Sequence, residues 1–387
     1  MKSQVHLSPA GKRTIIVVAT ILTIVVCFLL VGVFHLGDEA AVGVFALAAT
    51  LVGTIFIPVE IKNSQEVTCC QMLIDQNNYF HDNDHLMKVY RVLEIPEGTS
   101  GVWDEVEDTD IACYCTFFEN LYLLYSHKIA RIEDLDDLFG YRFFIFTNDS
   151  YVQEHHLLPT SSSYNEIFRL YEAWIRHRRK TGSPIPKAEN AFSEEYLSGR
   201  LYMNDAARAP EAEVGSFEEK STAFGIRTLG FDSVSPVLNL QARACEQIAD
   251  KSLFYPLSRA ELIESIYMDT VLGVFAPDGS LAGFAVLVNG RVSSRNLASD
   301  AGEQPCDVLT FDVVVTDPKW RGFGIQKHLT DCAVSLARSS GRKLILATVS
   351  PGNSFSLNNF LSKGFSVSKE GLRKYDSLER SLLRLDL

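Results

Sequence analysis

The sequence has no basic excess. Its 36 Lys and Arg residues face 48 Asp and Glu, for a formal net charge of −12. A protein that grips a phosphate backbone needs a basic face, so nucleic acid is excluded as an expected partner. There is also no C-x2-C knuckle and no matching His pair. The eight cysteines are Cys27, Cys69, Cys70, Cys113, Cys115, Cys245, Cys306 and Cys332. Without metal-ligand spacing they read as small free thiols, and no metal site is expected. Gly37, Gly43 and Gly53 do not make a G-x-x-x-G spacing, so nothing in the apolar runs points to helix dimerisation.

Hydrophobic residues are plentiful, at 47% of the chain. A length of 387 residues allows more than one domain, at roughly 100–200 residues each. Acid is concentrated in the middle. Residues 60–224 hold 15 Lys and Arg against 29 Asp and Glu, whereas residues 225–387 hold 18 against 17.

Near the N-terminus, residues 15–34 and 40–57 are apolar runs free of charge. At about 1.5 Å per residue, such runs match a hydrocarbon core of roughly 30 Å. The expectation is a transmembrane α-hairpin, with spans 14–36 and 40–58 around a turn carrying Asp38 and Glu39. Lys2, Lys12 and Arg13 precede it and Lys62 follows it. Positive flanks face the cytoplasm. A cytoplasmic tail over 1–13, cytoplasmic termini, a cell inner-membrane location and a lipid bilayer as partner are therefore expected.

Residues 60–180 read as a mainly α domain. Phe117, Phe118, Leu121 and Leu124 recur at helical spacing, as do Ile132, Leu135, Leu138 and Phe139. The stretch from Asp110 to Arg179 loosely resembles an uncharacterised helical domain of bacterial membrane proteins. Residues 181–224, rich in Pro, Gly, Ser, Glu and Ala, are expected to form a linker with one short helix near 193–201.

From residue 225 to 387 the pattern changes to α/β. Strands are expected at 225–229, 271–275, 281–288, 308–316, 343–349, 365–368 and 382–387, in a mixed, mostly antiparallel sheet. Helices are expected at 235–248, 258–266, 322–340 and 354–362. Within this pattern a strand ends at Thr316. Asp317-Pro318-Lys319-Trp320 makes a turn, and Arg321-Gly322-Phe323-Gly324-Ile325-Gln326 opens a helix. Glycines let an anion approach the backbone, and helix-opening N–H groups add positive potential.

This order of elements and this loop resemble the GNAT superfamily of acyl-CoA-dependent N-acyltransferases, whose loop reads Gln/Arg-x-x-Gly-x-Gly/Ala. Arg321 and Gly324 match, and Gln326 stands where a small residue is usual. The segment Asn353 to Phe365 is similar to the family's Asn-x-x-Ser/Ala-x-x-x-Tyr-x-x-x-Gly-Phe block, with Phe360 at the Tyr position. The resemblance covers residues 225–387. It implies acetyl-CoA as acyl donor and direct attack by an amine acceptor. The implied cofactor residues are Val313, Val314, Val315, Arg321, Gly322, Phe323, Gly324, Ile325, Gln326, Asn353 and Ser356.

An amine must lose a proton before it attacks. Asp312, Asp307 and Glu246 are the candidate bases. Because a benzene ring at 360 cannot donate a proton, Tyr375 and solvent water are the candidate acids. The expected function is a membrane-anchored N-acetyltransferase. The alternative is a degenerate module that binds acyl-CoA as a sensor without turnover.

Overall fold

The computed structural model describes residues 21, 23–26, 29, 38–96, 99–159, 161–202 and 212–387. These fall into two compact units, the first ending at Asn83 and the second running from Asp84 to Leu387.

The first unit contains helix α1, Asp38–Asp82, of 45 residues. Asp38 and Glu39, expected in a turn, are its first residues. The expected second span is part of this helix, which continues without a break past exposed Glu60, Lys62 and Glu66. The expected first span lies almost wholly outside the described residues. Among the described residues, no helix is long and apolar enough to cross a membrane. That finding overturns the expected two-span inner-membrane location and removes the support for a bilayer partner. An apolar run need not be a complete element, and here the backbone carries the helix on through charged sequence.

The second unit opens with helices α2 (Asp84–Leu93), α3 (Asp108–Ser126), α4 (Ile132–Thr147), α5 (Asn165–Thr181) and α6 (Glu194–Tyr202). Their core is aromatic. Phe143 stacks on Trp174 at 4.8 Å, and Phe144 meets Tyr171 edge-on at 5.5 Å. Asp136 accepts hydrogen bonds from Trp174 Nε1 at 2.5 Å and Arg178 Nε at 2.7 Å, so a carboxylate at the bundle's edge has charged and neutral donors. The short helix expected near 193–201 is α6.

The eight-stranded sheet has the order β1-β2-β3-β4-β5-β6-β8-β7. Its strands are β1 (Glu213–Glu219), β2 (Thr222–Thr228), β3 (Thr270–Phe275), β4 (Leu281–Asn289), β5 (Val308–Thr316), β6 (Leu344–Val349), β7 (Ser366–Lys374) and β8 (Leu378–Asp386). Only β5 and β6 pair in parallel. Parallel neighbours need a crossover, and here it is helix α9, Ile325–Ser339. Helices α7 (Val234–Glu246), α8 (Arg259–Met268) and α10 (Ser354–Leu361) complete the unit.

Ala285, Leu287, Leu309 and Phe311 share a core with Ile325, Leu329 and Ala333 of α9. Phe284, Val286 and Val288 alternate with the first two and are equally buried, so both faces of β4 are covered.

The sheet begins at Glu213, inside the stretch expected to be a linker. The reason is legible in the burial: β1 is an edge strand with half or more of its residues exposed, so it has no apolar alternation to read. Strand β7, also at an edge and mostly exposed, was expected to be much shorter for the same reason. Among the described residues of the expected linker, α6 packs as well, with Tyr196 and Leu197 buried. Tyr196 of α6 meets Tyr267 of α8 edge-on at 5.2 Å. Glu154 forms a buried ion pair with Arg259 of α8 at 2.5 Å and accepts from Ser235 Oγ at 2.8 Å.

Candidate active site: a split between β5 and β6

The β5–β6 ladder pairs Val308 with Leu344 and proceeds to Phe311 with Ala347, where it stops. Both strands continue, β5 to Thr316 and β6 to Val349, so they diverge into a cleft. A bulge lies at the point of divergence. Val313 pairs with Val286 and Phe311 with Leu287, which leaves Asp312 as the extra residue. Beyond it, Asp317 N–H donates to Ala282 at 2.9 Å. Counting back by the antiparallel alternation, Val313 and Val315 are hydrogen-bonded to β4. The N–H and C=O of Val314 therefore face the side that β6 has vacated.

A pocket opens at this cleft. Phe311, Asp312, Val313 and Val314 line it from β5, Thr348 and Val349 from β6. Asn353, Ser356 and Phe360 reach it from α10 and its approach, and Tyr375 and Arg380 from the turn before β8 and β8 itself. Leu253, Phe254, Tyr255 and Leu257 form an apolar and aromatic wall.

Asp312 is buried and paired with Arg295, whose Nε lies 2.9 Å from Oδ2 and whose Nη2 binds the same oxygen. Burial raises the carboxyl above the ordinary carboxylate range, and the Arg295 charge offsets only part of that. Arg295 is held in turn by Ser265 Oγ at 2.5 Å and the Glu261 carbonyl at 3.2 Å. Tyr375 Oη lies 3.2 Å from Thr348 Oγ1. Burial, and secondarily the Asp312 charge, push its phenol up to about 12, so it stays protonated at neutral pH. Its ring stacks on Tyr255 at 5.2 Å. Tyr375, Asp376 and Ser377 all have positive φ, at 51°, 58° and 72°. For residues with a side chain this conformation costs about 1–2 kcal/mol each, and such strain concentrates at functional sites.

Past Thr316 the chain enters the Gly-rich loop. Asp317 caps the turn at Pro318–Trp320 through Lys319 N–H at 2.9 Å, and Arg243 Nη2 anchors it at 2.7 Å. Gly322 and Gly324 have φ of 81° and 67°, a region that favours glycine. Helix α9 then starts with no side-chain cap, and the first intrahelical bond runs from His328 N–H to the Gly324 carbonyl at 3.1 Å. The N–H groups of Ile325, Gln326 and Lys327 precede that bond and have no intrahelical acceptor. Arg321 is exposed at the head of the loop. Lys220, in the β1–β2 turn, adds a second cation: its Nζ is 5.0 Å from the Phe323 ring centre and 3.5 Å from where a Cβ on Gly322 would sit.

Gln326 points across to α10. Its Nε2 donates to Ser356 Oγ at 3.0 Å and its Oε1 accepts from Asn359 Nδ2 at 2.8 Å. Asn353 caps α10 by accepting from Ser356 N–H at 3.1 Å. Phe360 is core, edge-on to Phe311 at 5.3 Å and packed on Phe365 at 5.0 Å.

The structure thus brings Asp312, Tyr375, Val313, Val314, Asn353 and Ser356 to one pocket, and Arg321 to Gln326 to the loop at the end of β5. Val315 is buried in β5 and does not line the pocket. Glu246 is a correction: it ends α7, exposed and outside the pocket. Asp307 is another, lying at the far end of β5 and paired with Lys343 at 2.9 Å. Sequence reasoning missed Arg295, Thr348, Arg380 and the aromatic wall. They come from segments without motif spacing, and only the fold unites them.

No protein-family model matches the chain, and no curated protein matches it. Several solved structures are similar to part of it. An acetyltransferase of the GNAT family from Listeria monocytogenes covers 45% of this chain and 100% of its own, at 13% identity and a TM-score of 0.37. The ribosomal-protein-S18-alanine N-acetyltransferase from Escherichia coli covers 42% and 93%, at 17% identity and a TM-score of 0.33. The Salmonella typhimurium protein yncA, solved with its cofactor acetyl-CoA, covers 42% and 94%, at 17% identity and a TM-score of 0.34.

Proposed function

We propose that the chain is an acyl-CoA-dependent N-acyltransferase that takes acetyl-CoA as donor and acetylates an amine. The observation that carries this reading is the early end of the β5–β6 ladder at Phe311 and Ala347, on a strand that runs directly into an uncapped helix N-terminus. The cleft suits an extended pantetheine arm, for which Val314 supplies its backbone C=O. The loop suits a pyrophosphate, with N–H groups of Ile325, Gln326 and Lys327 and the cations Arg321 and Lys220. Gln326 fits because its side chain is drawn to Ser356 and away from the loop.

The donor supplies an activated acyl carbon. Asp312 accepts the proton of the incoming amine, its basicity increased by burial. Tyr375 holds a proton in the same pocket for the departing sulfur. Val314 N–H is oriented for developing oxyanion charge. No covalent bond to the protein is required.

The test is calorimetry of acetyl-CoA with the full chain and with Gly324→Trp, followed by thiol release with a panel of amines. Binding lost in the variant, with turnover in the wild type, supports the reading. Absence of binding to folded wild-type protein overturns it. A second reading, an acyl-CoA sensor without turnover, is favoured by Phe360, whose ring is fully committed to the core. Binding without thiol release for any amine would select it.

A further inference from the structure

The pocket carries opposite charges on its walls. Asp312 and Glu261 supply the anions, Arg295 is bound to Asp312, and Arg380 is a cation that the proposed chemistry does not use. Arg380 is only 4% exposed. Among the described residues, no carboxylate lies within ion-pairing distance of it. Its neighbour Glu379 is 3.7 Å from Arg373 instead. The bonds Arg380 makes use a single nitrogen: Nη1 donates to the Ser252 carbonyl at 3.0 Å and to the Glu379 carbonyl at 2.9 Å. Among the described residues, nothing accepts a hydrogen bond from Nε or Nη2 of Arg380, which lines the pocket. The guanidinium carbon sits 5.6 Å from the centre of the Tyr375 ring, which places it beside the candidate acid. Burial disfavours its charge. A buried guanidinium without a counter-ion is costly, and its planar fork matches a carboxylate.

We infer that the acceptor is a free α-amino acid with an apolar or aromatic side chain, its carboxylate held by Arg380 and its amine directed to Asp312. The apolar wall of Leu253, Phe254, Tyr255 and Leu257 takes the side chain. Arg380 also fixes that wall through the Ser252 carbonyl, so one residue both orders the wall and binds the acceptor. Protein lysines and polyamines lack a carboxylate next to the amine and leave Arg380 unpaired.

This inference rests on the proposed function, and product binding separates the two. Acetyl-CoA binding is measured first on the full chain, and its absence removes both. With CoA present, N-acetylphenylalanine and N-acetylphenylalaninamide are then titrated into the wild type. The acid is expected to bind about tenfold or more tightly than the amide, the worth of one charged hydrogen-bonded contact. Arg380→Gln is expected to abolish that preference and Arg380→Lys to retain part of it, with thermal unfolding reporting whether each variant is folded. Equal binding of acid and amide by the wild type, or binding of neither while acetyl-CoA binds, overturns the inference whatever the variants do.

Discussion

Asp312 and Arg295 form a buried ion pair at the place where β5 parts from β6, with Nε 2.9 Å from Oδ2. The contact explains how a bulge in the central strand is tolerated. The extra residue turns its carboxylate to an arginine that is itself tied to Ser265 and to the backbone of α8. Only one carboxylate oxygen is engaged, so the other is available to the pocket.

Replacing Asp312 by Asn keeps the shape and removes the proposed base. With saturating acetyl-CoA, kcat is expected to fall by about 10²–10⁴-fold, the usual contribution of a positioned general base. In the wild type, kcat/KM rises with pH as this carboxyl ionises. Burial raises its pKa, so the limb lies above the ordinary carboxylate range near 3.9 and disappears in the variant. A pH profile that keeps the same limb in Asp312→Asn would assign the base elsewhere.

Tyr375→Phe removes the proton donor and leaves the ring stack on Tyr255 in place. The expectation is a fall in kcat of about 10²-fold or more with little change in acetyl-CoA affinity. Because the phenol sits at about 12, the wild type should lose this donor only in strongly alkaline solution. Unchanged kcat in the variant would leave solvent as the acid.

Gly283→Ala tests how closely the sheet supports the loop. A Cβ there would lie 2.7 Å from Ile325 Cγ2 and 2.9 Å from the Val315 carbonyl. Ile325 is the first residue of α9, so the methyl group displaces the helix start that presents the loop N–H groups. A loss of about 1–3 kcal/mol of stability is expected, together with weaker acetyl-CoA binding. Denaturant titration and calorimetry check the two effects separately.

In the helical region, Asp110 is buried and receives His85 Nδ1 at 2.5 Å, Lys88 Nζ at 2.9 Å and the Glu107 N–H at 2.9 Å. Burial pushes its carboxyl up, but these partners outweigh burial and hold it down at about 2. A folded pKa below the unfolded value means stability that is present above about 4 and is lost as pH falls toward 2. The contribution is about 1–2 kcal/mol, since His85 and Lys88 are partly exposed. Asp110→Asn should therefore flatten the acid limb of thermal stability between pH 4 and pH 2. An unchanged slope would show that other carboxylates govern it.

Much of the C-terminal fold was legible in residue order. Val308–Thr316 was expected to be a long strand because its β-branched run is bounded by a Pro-containing turn, and the strand has those bounds. The loop from Arg321 to Gln326 was legible as a turn opening a helix, because its glycines, which adopt positive φ, precede a helical pattern. Edge strands were not, because β1 and β7 owe their conformation to neighbouring backbone and not to a buried face. The membrane hairpin failed for a related reason: apolar length in a sequence does not say where the helix that contains it ends.

What the sequence by itself determined is local. It set the alternation of strands and helices, the glycine-shaped loop, and the exclusion of a proton-donating side chain at Phe360, all of which depend on a residue and its near neighbours. The tertiary structure decided which charges meet. Asp312 and Arg295 are 17 positions apart, Tyr375 and Thr348 are 27 apart, and Arg380 reaches Ser252 across 128. Gln326 shows the same division, since it stands where a small residue is usual and its partner Ser356, 30 positions on, draws its side chain away. Hydrogen bonds and ion pairs act over a few ångströms whatever the chain separation, so only the folded sheet, with its early-ending ladder, could bring Asp312, Tyr375 and Arg380 to one pocket.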